Sequence, residues 1–305
     1  MKLVRKEHII PRMLLEKFVA DDGLLTVYEK DKSPRVSTPE KECVERDYFE
    51  FEYRGIKTNN KYENWLSQIE GNGAAMLDNI IQKRAITRRD DAEIWAAFVA
   101  SLFGRTRKVR AHISEAMAQK FRQQVNNSDS IRELQLALLK QGELHYADDI
   151  RRAVTAVYTT MESSPSYFFV SALPNRVRMI AADLMTRDWH TIDSAEGCNF
   201  LLSDCPVITY EVRDGKPCPG TGFGNQGTIV LLPVSPKHLF AASPHSVMWP
   251  TVFSPTAMEK VNRLIVNFAH RNVYANGESE EVQKLVDAEI NTIDFGKNAF
   301  VPPVR

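Results

Sequence analysis

The chain has 305 residues, 43% of them hydrophobic and 26% charged, which suits one large or two modest globular domains with a full core. Lys plus Arg and Asp plus Glu balance at 39 each, so the formal net charge is zero. That excludes a protein held to nucleic acid by a general basic surplus and leaves room only for a local patch. The four cysteines, Cys43, Cys198, Cys205 and Cys218, form no CxxC pair. Three of them crowd between Cys198 and Cys218, which leaves a disulfide or a sulfur site open, but reduced thiols are the commoner state. The opening Met1–His8 lacks the apolar core of a signal peptide, and no run approaches the roughly 18 apolar residues of a membrane span. A cytoplasmic protein is expected.

In chain order, residues 1–58 read as a β-rich segment. Pro11 to Phe18 fits a short helix with Pro at its first turn, Asp21-Asp22-Gly23 a turn, and Leu24 to Lys30 a strand. Residues 59–165 read as helical. Ile94, Trp95, Phe98, Val99, Leu102 and Phe103 fall on one stripe, and Ile150, Val154, Val157, Tyr158 and Met161 on another. Ser128-Asp129-Ser130 supplies start signals for a helix through Leu134, Leu138 and Leu139.

Residues 166–305 alternate. A helix is expected from Pro174 to about Arg187, then strands at Trp189 to Asp193 and Phe200 to Leu202 joined by a Ser-Ala-Glu-Gly turn. Ile208 to Val212 continues as a strand, and the loop 213–227 holds five glycines and two prolines. Thr228 to Leu232 reads as a buried strand closed by Pro233, His238 to Ala242 as another, and 254–270 as an amphipathic helix. Strands joined by short turns rather than helical crossovers make the fold class α+β, mostly antiparallel sheet with a large helical bundle section. The last section is expected to pack with the first.

Chemistry concentrates at a few places. In Phe200 to Val207 an apolar run stops at Ser203-Asp204, and Pro206 ends any regular ladder. Asp204 is either an acid displayed at a strand end or the acceptor of an Asx-type turn. His8-Ile9-Ile10-Pro11-Arg12 offers a base beside an anion-binding guanidinium, or only the start of an edge element. Glu63 and Glu70 share one helical face, although Gly71-Asn72-Gly73 interrupts just after, and solvated helix charges are the plainer reading. Arg105-Thr106-Arg107-Lys108-Val109-Arg110-Ala111-His112 contains an Arg-x4-His spacing that resembles the motif of the HEPN ribonucleases; a basic helix surface is the commoner meaning of so short a pattern. No HExxH, zinc-finger, dinucleotide or kinase signature is present.

Taken in order, these pieces resemble the family called domain of unknown function 4238. They are the His8 to Arg12 segment, Leu25 to Tyr28, Val44 to Phe49, Glu63 with Ile69-Glu70, Arg105-Thr106, Phe200 to Val207, Leu232 to Pro236, Asn267, and Ala269 to Tyr274. The chain has Leu202 where Thr is usual and Arg107 where Pro is usual. The resemblance implies that His8, Arg12, Glu70, Arg105 and Asp204 come together. Such a set would serve an anionic substrate, with His8, Glu70 and Asp204 catalytic and Arg12 and Arg105 binding the anion. The expectation is an intracellular hydrolase of phosphodiesters in nucleic acid or a nucleotide, with or without a divalent metal ion, in a setting such as a toxin or phage defence. The alternative is a non-catalytic binding module whose charges form a structural network. No membrane association is expected, and the oligomeric state is left open.

Overall fold

The computed structural model describes residues 6–50, 52–53, 56–57, 61–82, 88–126, 129–142, 149, 152, 165–214, 216–219 and 222–293. The chain opens with β1 (Lys6–His8), then Pro11 caps the single turn α1 (Arg12–Leu15), which tightens into a 3₁₀ turn at Glu16–Phe18. Pro11 has φ −58°, so its ring fixes the geometry from which the helix starts. Strands β2 (Leu25–Tyr28), β3 (Arg35–Ser37) and β4 (Val44–Arg46) follow. β4 returns antiparallel to β1, with Glu7 opposite Glu45 and His8 opposite Val44. A two-residue pairing of β5 (Glu52–Tyr53) and β6 (Ile56–Lys57) leads into the helices.

Helix α2 (Lys61–Ile81) runs unbroken through Gly71-Asn72-Gly73, against the expected interruption. The reason is tertiary. A Cβ on Gly73 would stand 2.7 Å from the Phe98 ring, so the glycine is where α2 meets α3 (Arg89–Gly104), not where it ends. Of the stripe expected on α3, Trp95, Phe98, Val99, Leu102 and Phe103 are buried, Trp95 and Phe98 completely, while Ile94 stays partly exposed. Helices α4 (Arg107–Asn126) and α5 (Asp129–Lys140) come next. The Ile150 to Met161 stripe lies outside the described residues.

Helix α6 (Pro165–Leu184) begins well before Pro174, which sits inside it. Proline there removes a helical hydrogen bond at a cost of about 3 kcal/mol. The buried row Val170, Leu173, Val177, Ile180 and Leu184 offsets that cost by packing the helix along α3.

The remaining elements are β7 (Asp188–Asp193), β8 (Leu202–Ser203), β9 (Ile208–Arg213), β10 (Lys216–Pro219), β11 (Ile229–Ser235), β12 (His238–Ser243), α7 (Pro255–Phe268), β13 (Val273–Ala275) and α8 (Glu280–Glu289). One sheet has the order β10-β9-β11-β12-β7 and the other β3-β2-β13-β8, and all their pairings are antiparallel. The expected hairpin of Trp189 to Asp193 with Phe200 to Leu202 does not form: β7 pairs with β12, and β8 with β13 in the other sheet. β11 also continues through Pro233, because β9 pairs only with Ile229 to Leu231 and the proline lies beyond that partner.

The fold is thus α+β, with eight α-helices among the described residues. The helical section is less than a free-standing bundle. Trp95 on α3 meets Phe240 on β12 edge to face at 5.4 Å, and one hydrophobic core runs from Ile9 through the helices to Ile290. No helix among the described residues is long and apolar enough to cross a membrane.

Candidate functional site

Arg105 stands at the corner between two helices. α3 ends at Gly104, and α4 begins at Arg107 with the Thr106 hydroxyl accepting from the Val109 amide at 3.4 Å, a side-chain cap. The Tyr48 hydroxyl donates to the Arg105 carbonyl at 3.0 Å and pins the corner. The guanidinium turns inward, with only 1% of the side chain exposed. Nη1 donates to Glu70 on α2, whereas Nε and Nη2 have no hydrogen-bond partner. Buried guanidinium donors normally find acceptors, because leaving one unsatisfied costs about 1–3 kcal/mol.

Three further groups surround that ion pair. His8 closes β1 half-buried, and burial lowers its pKa from 6.5; Glu70 opposes this, while Arg105 and Arg12 reinforce it. The Glu40 backbone carbonyl takes a hydrogen bond from the ring, and Nε2 is buried without a partner. Glu7 is fully buried; its Oε2 accepts the Phe49 amide at 2.7 Å and its Oε1 has no partner. Burial raises the Glu7 pKa to about 7, with Glu50 and Asp47 adding to the rise and the Phe49 amide opposing it. Glu63, one face with Glu70 on α2, is also raised to about 7, first by burial and then by Glu7 and Glu70, against Arg105. An acid and a base poised close to neutrality are what proton transfer requires.

Arg12 is at the rim. Its exposed guanidinium is committed to Glu16 at 2.6 Å and Glu40 at 2.8 Å.

Asp204 stands in different surroundings. Beyond the end of β8, its Oδ1 accepts the His270 amide at 2.7 Å, and its Oδ2 accepts the amides of Arg271 at 2.9 Å and Asn272 at 3.2 Å. Its own amide donates to the Asn272 carbonyl at 3.0 Å. The carboxylate is sealed, and burial raises its pKa against those three amides. The short-range turn is made instead by Ser203, whose hydroxyl bonds both the amide and the carbonyl of Cys205. Nearby are the Cys43 thiol, 2.9 Å from the Tyr274 hydroxyl and raised by burial and then Asp204, and Arg107, paired with Glu45 at 2.8 Å. The predicted residues therefore divide: His8, Glu70 and Arg105 meet, Arg12 edges them, and Asp204 anchors the corner between α7 and β13.

The basic run after Arg105 is also spent locally, with Arg107 on Glu45 and Lys108 donating to the Ile293 carbonyl at 2.7 Å. None of the four cysteines is joined in a disulfide. Among the described residues, no group of three or more His, Cys, Asp or Glu side chains is placed to hold a metal ion. Glu7 is the residue sequence reasoning missed. A three-residue strand is too short for alternation to show which side chain is buried. A separate groove of ≈ 350 Å³ lies between α2 and α3, lined by Ile69, Ile94 and Ala97 with Asp90 and Glu93; it opens on another side of α2 from Glu63 and Glu70.

The fold and site define an α+β protein with an acid–base cluster closed over a buried arginine. The chain belongs to the family described as a protein of unknown function (DUF4238), matched over residues 6–279. Arg107 is the first residue of α4, a position that suits proline because the missing amide has no helical partner there. No curated protein and no solved structure matches the chain.

Proposed function

We propose that the protein is an intracellular hydrolase of phosphodiester bonds in nucleic acid or a nucleotide, acting through His8, Glu63, Glu70 and Arg105. The observation that carries this is the Arg105 guanidinium with Nε and Nη2 unspent beside a His8 Nε2 that also lacks a partner; all three atoms are sealed from solvent, so the reading requires the cluster to open for substrate. Two parallel N–H donors match two phosphoryl oxygens. His8, its pKa lowered, serves as the base: it takes a proton from a water molecule whose oxygen bonds to phosphorus. The ester P–O bond breaks with its electron pair on the leaving oxygen, which takes a proton from Glu63, raised to about 7 and so partly protonated near neutrality. Glu70 holds Arg105 in place.

Asp204 favours a second reading at its own position, a structural carboxylate in a non-catalytic module, because its oxygens are taken up by backbone amides. The test is incubation of the purified chain with RNA, DNA and nucleotides, with and without Mg²⁺ or Mn²⁺, beside Arg105→Lys. Lysine keeps a charge for Glu70 but loses the fork, so cleavage should fall on the order of 100-fold with the fold intact. If every substrate stays whole, the hydrolase reading is wrong and the binding module stands.

A further inference from the structure

The groove between α2 and α3 shares Ile69, Glu93 and Ala97 with a larger cleft that the chemistry at Arg105 does not use. This cleft of ≈ 640 Å³ is bounded by three helices. α6 presents Pro174, Val177, Arg178, Ala181, Ala182 and Met185 to it, a row with helical spacing that lies on one face. On α3 the lining residues Arg89, Glu93 and Ala97 are each four apart, and α2 supplies Trp65 with Ile69. Alanine at 97, 181 and 182 leaves open the space that longer side chains would fill. From Pro174 to Met185 the lining runs about 16 Å along the axis of α6. The volume falls within the roughly 300–1,000 Å³ of small-molecule clefts.

Three charged side chains line the cleft. Arg89 and Glu93 pair at 2.9 Å and cancel. The Arg178 guanidinium donates to the Asn175 side chain at 2.7 Å and, among the described residues, meets no carboxylate. One positive charge is therefore left over an apolar floor. The proline that interrupts the hydrogen bonds of α6 faces the same cleft, and breaks of a local sequence rule gather at functional places.

We infer that the cleft binds an anionic amphiphile, an extended alkyl chain ending in a carboxylate. The chain lies along Trp65, Ile69, Val177 and Met185, and the carboxylate oxygens accept from Arg178. Size argues against a docked helix. A helix about 10 Å across and 16 Å long would occupy roughly twice the volume of the cleft, whereas a single alkyl chain enters whole. This site is independent of the hydrolase reading and stands or falls apart from it.

The test is titration of the full chain at low salt with decanoate and with decyltrimethylammonium, which share a chain length and differ in charge. Calorimetry and tryptophan emission, which Trp65 should report, follow the binding. One decanoate per chain should bind, at least about threefold tighter than the cation, and each methylene removed from the acid should weaken it about two- to fourfold. Ala181→Phe fills the cleft and should abolish binding. Arg178 is exposed, so Arg178→Gln keeps the fold even if the filling variant does not; it should weaken decanoate about threefold and leave the cation no weaker. Absence of decanoate binding, equal or tighter binding of the cation, or indifference of decanoate to Arg178→Gln overturns the inference. So does self-association of the chain that Ala181→Phe disperses, because a second copy would then fill the cleft.

Discussion

The Asp204 carboxylate accepts the backbone amide of Arg271 at 2.9 Å, joining two points 67 residues apart. With the His270 and Asn272 amides it takes up the whole turn from α7 into β13. An asparagine there keeps one accepting oxygen but points an NH₂ group at an amide that also donates. Asp204→Asn should lower stability by about 2–3 kcal/mol while the folded fraction keeps its activity. Denaturant unfolding beside an activity assay on the folded fraction checks this; loss of turnover at unchanged stability would move Asp204 into the chemistry.

Glu7 gives the fold a pH dependence of unusual sign. Its pKa is raised to about 7 from 4.5 in the folded protein. Between those values the native state binds more protons than the unfolded chain, so its contribution is intact below pH 4.5 and is lost as pH rises toward 7. Glu7→Gln keeps an acceptor for the Phe49 amide and cannot ionise. The variant should match the parent near pH 5 and exceed it at pH 8 by on the order of 2 kcal/mol. Parallel stability curves for the two proteins would contradict the burial argument.

His8 and Glu63 set the expected rate profile. The base works when deprotonated, with a pKa below 6.5, and the acid when protonated, with a pKa of about 7. Diester cleavage should therefore peak between those values and fall on both sides. Glu63→Gln should lower the maximum and remove the alkaline limb, as kcat/KM measured against pH will show. An alkaline limb that survives the substitution assigns the acid to another residue.

Gly73 is the contact point of α2 and α3. The methyl group of Gly73→Ala would start 2.7 Å from Phe98 Cδ2, so the helices must part or the ring must turn. Alanine is the better helix former, yet a destabilisation of about 1–3 kcal/mol is expected. Thermal unfolding decides it, since helix propensity acting alone would raise the midpoint.

Arg107→Pro should be tolerated within about 1 kcal/mol. It fits the first position of α4 and loses only the partly exposed pair with Glu45. A large loss in the unfolding midpoint would show that Arg107 also holds the corner on which Arg105 sits.

The sequence alone determined what local pattern controls. The Trp95 to Phe103 stripe had to bury because its residues recur at helical spacing, and Pro11 had to start a turn because its ring fixes φ. The α+β class followed from strands separated by short turns, whereas the meeting of Glu70 with Arg105 was only what the family resemblance implied. Only the tertiary structure decided the rest. Pro174 looked like a helix start because the cost of a mid-helix proline is local, while the packing on α3 that offsets it is not. Gly71-Asn72-Gly73 looked like a break because no local signal announces Phe98. Asp204 looked like one member of a single cluster, and the three amides that claim it lie some 66 to 68 residues further on. Glu7 gave no signal, because burial, which turns an ordinary carboxylate into a group titrating near neutrality, belongs to the assembled fold and not to any stretch of chain.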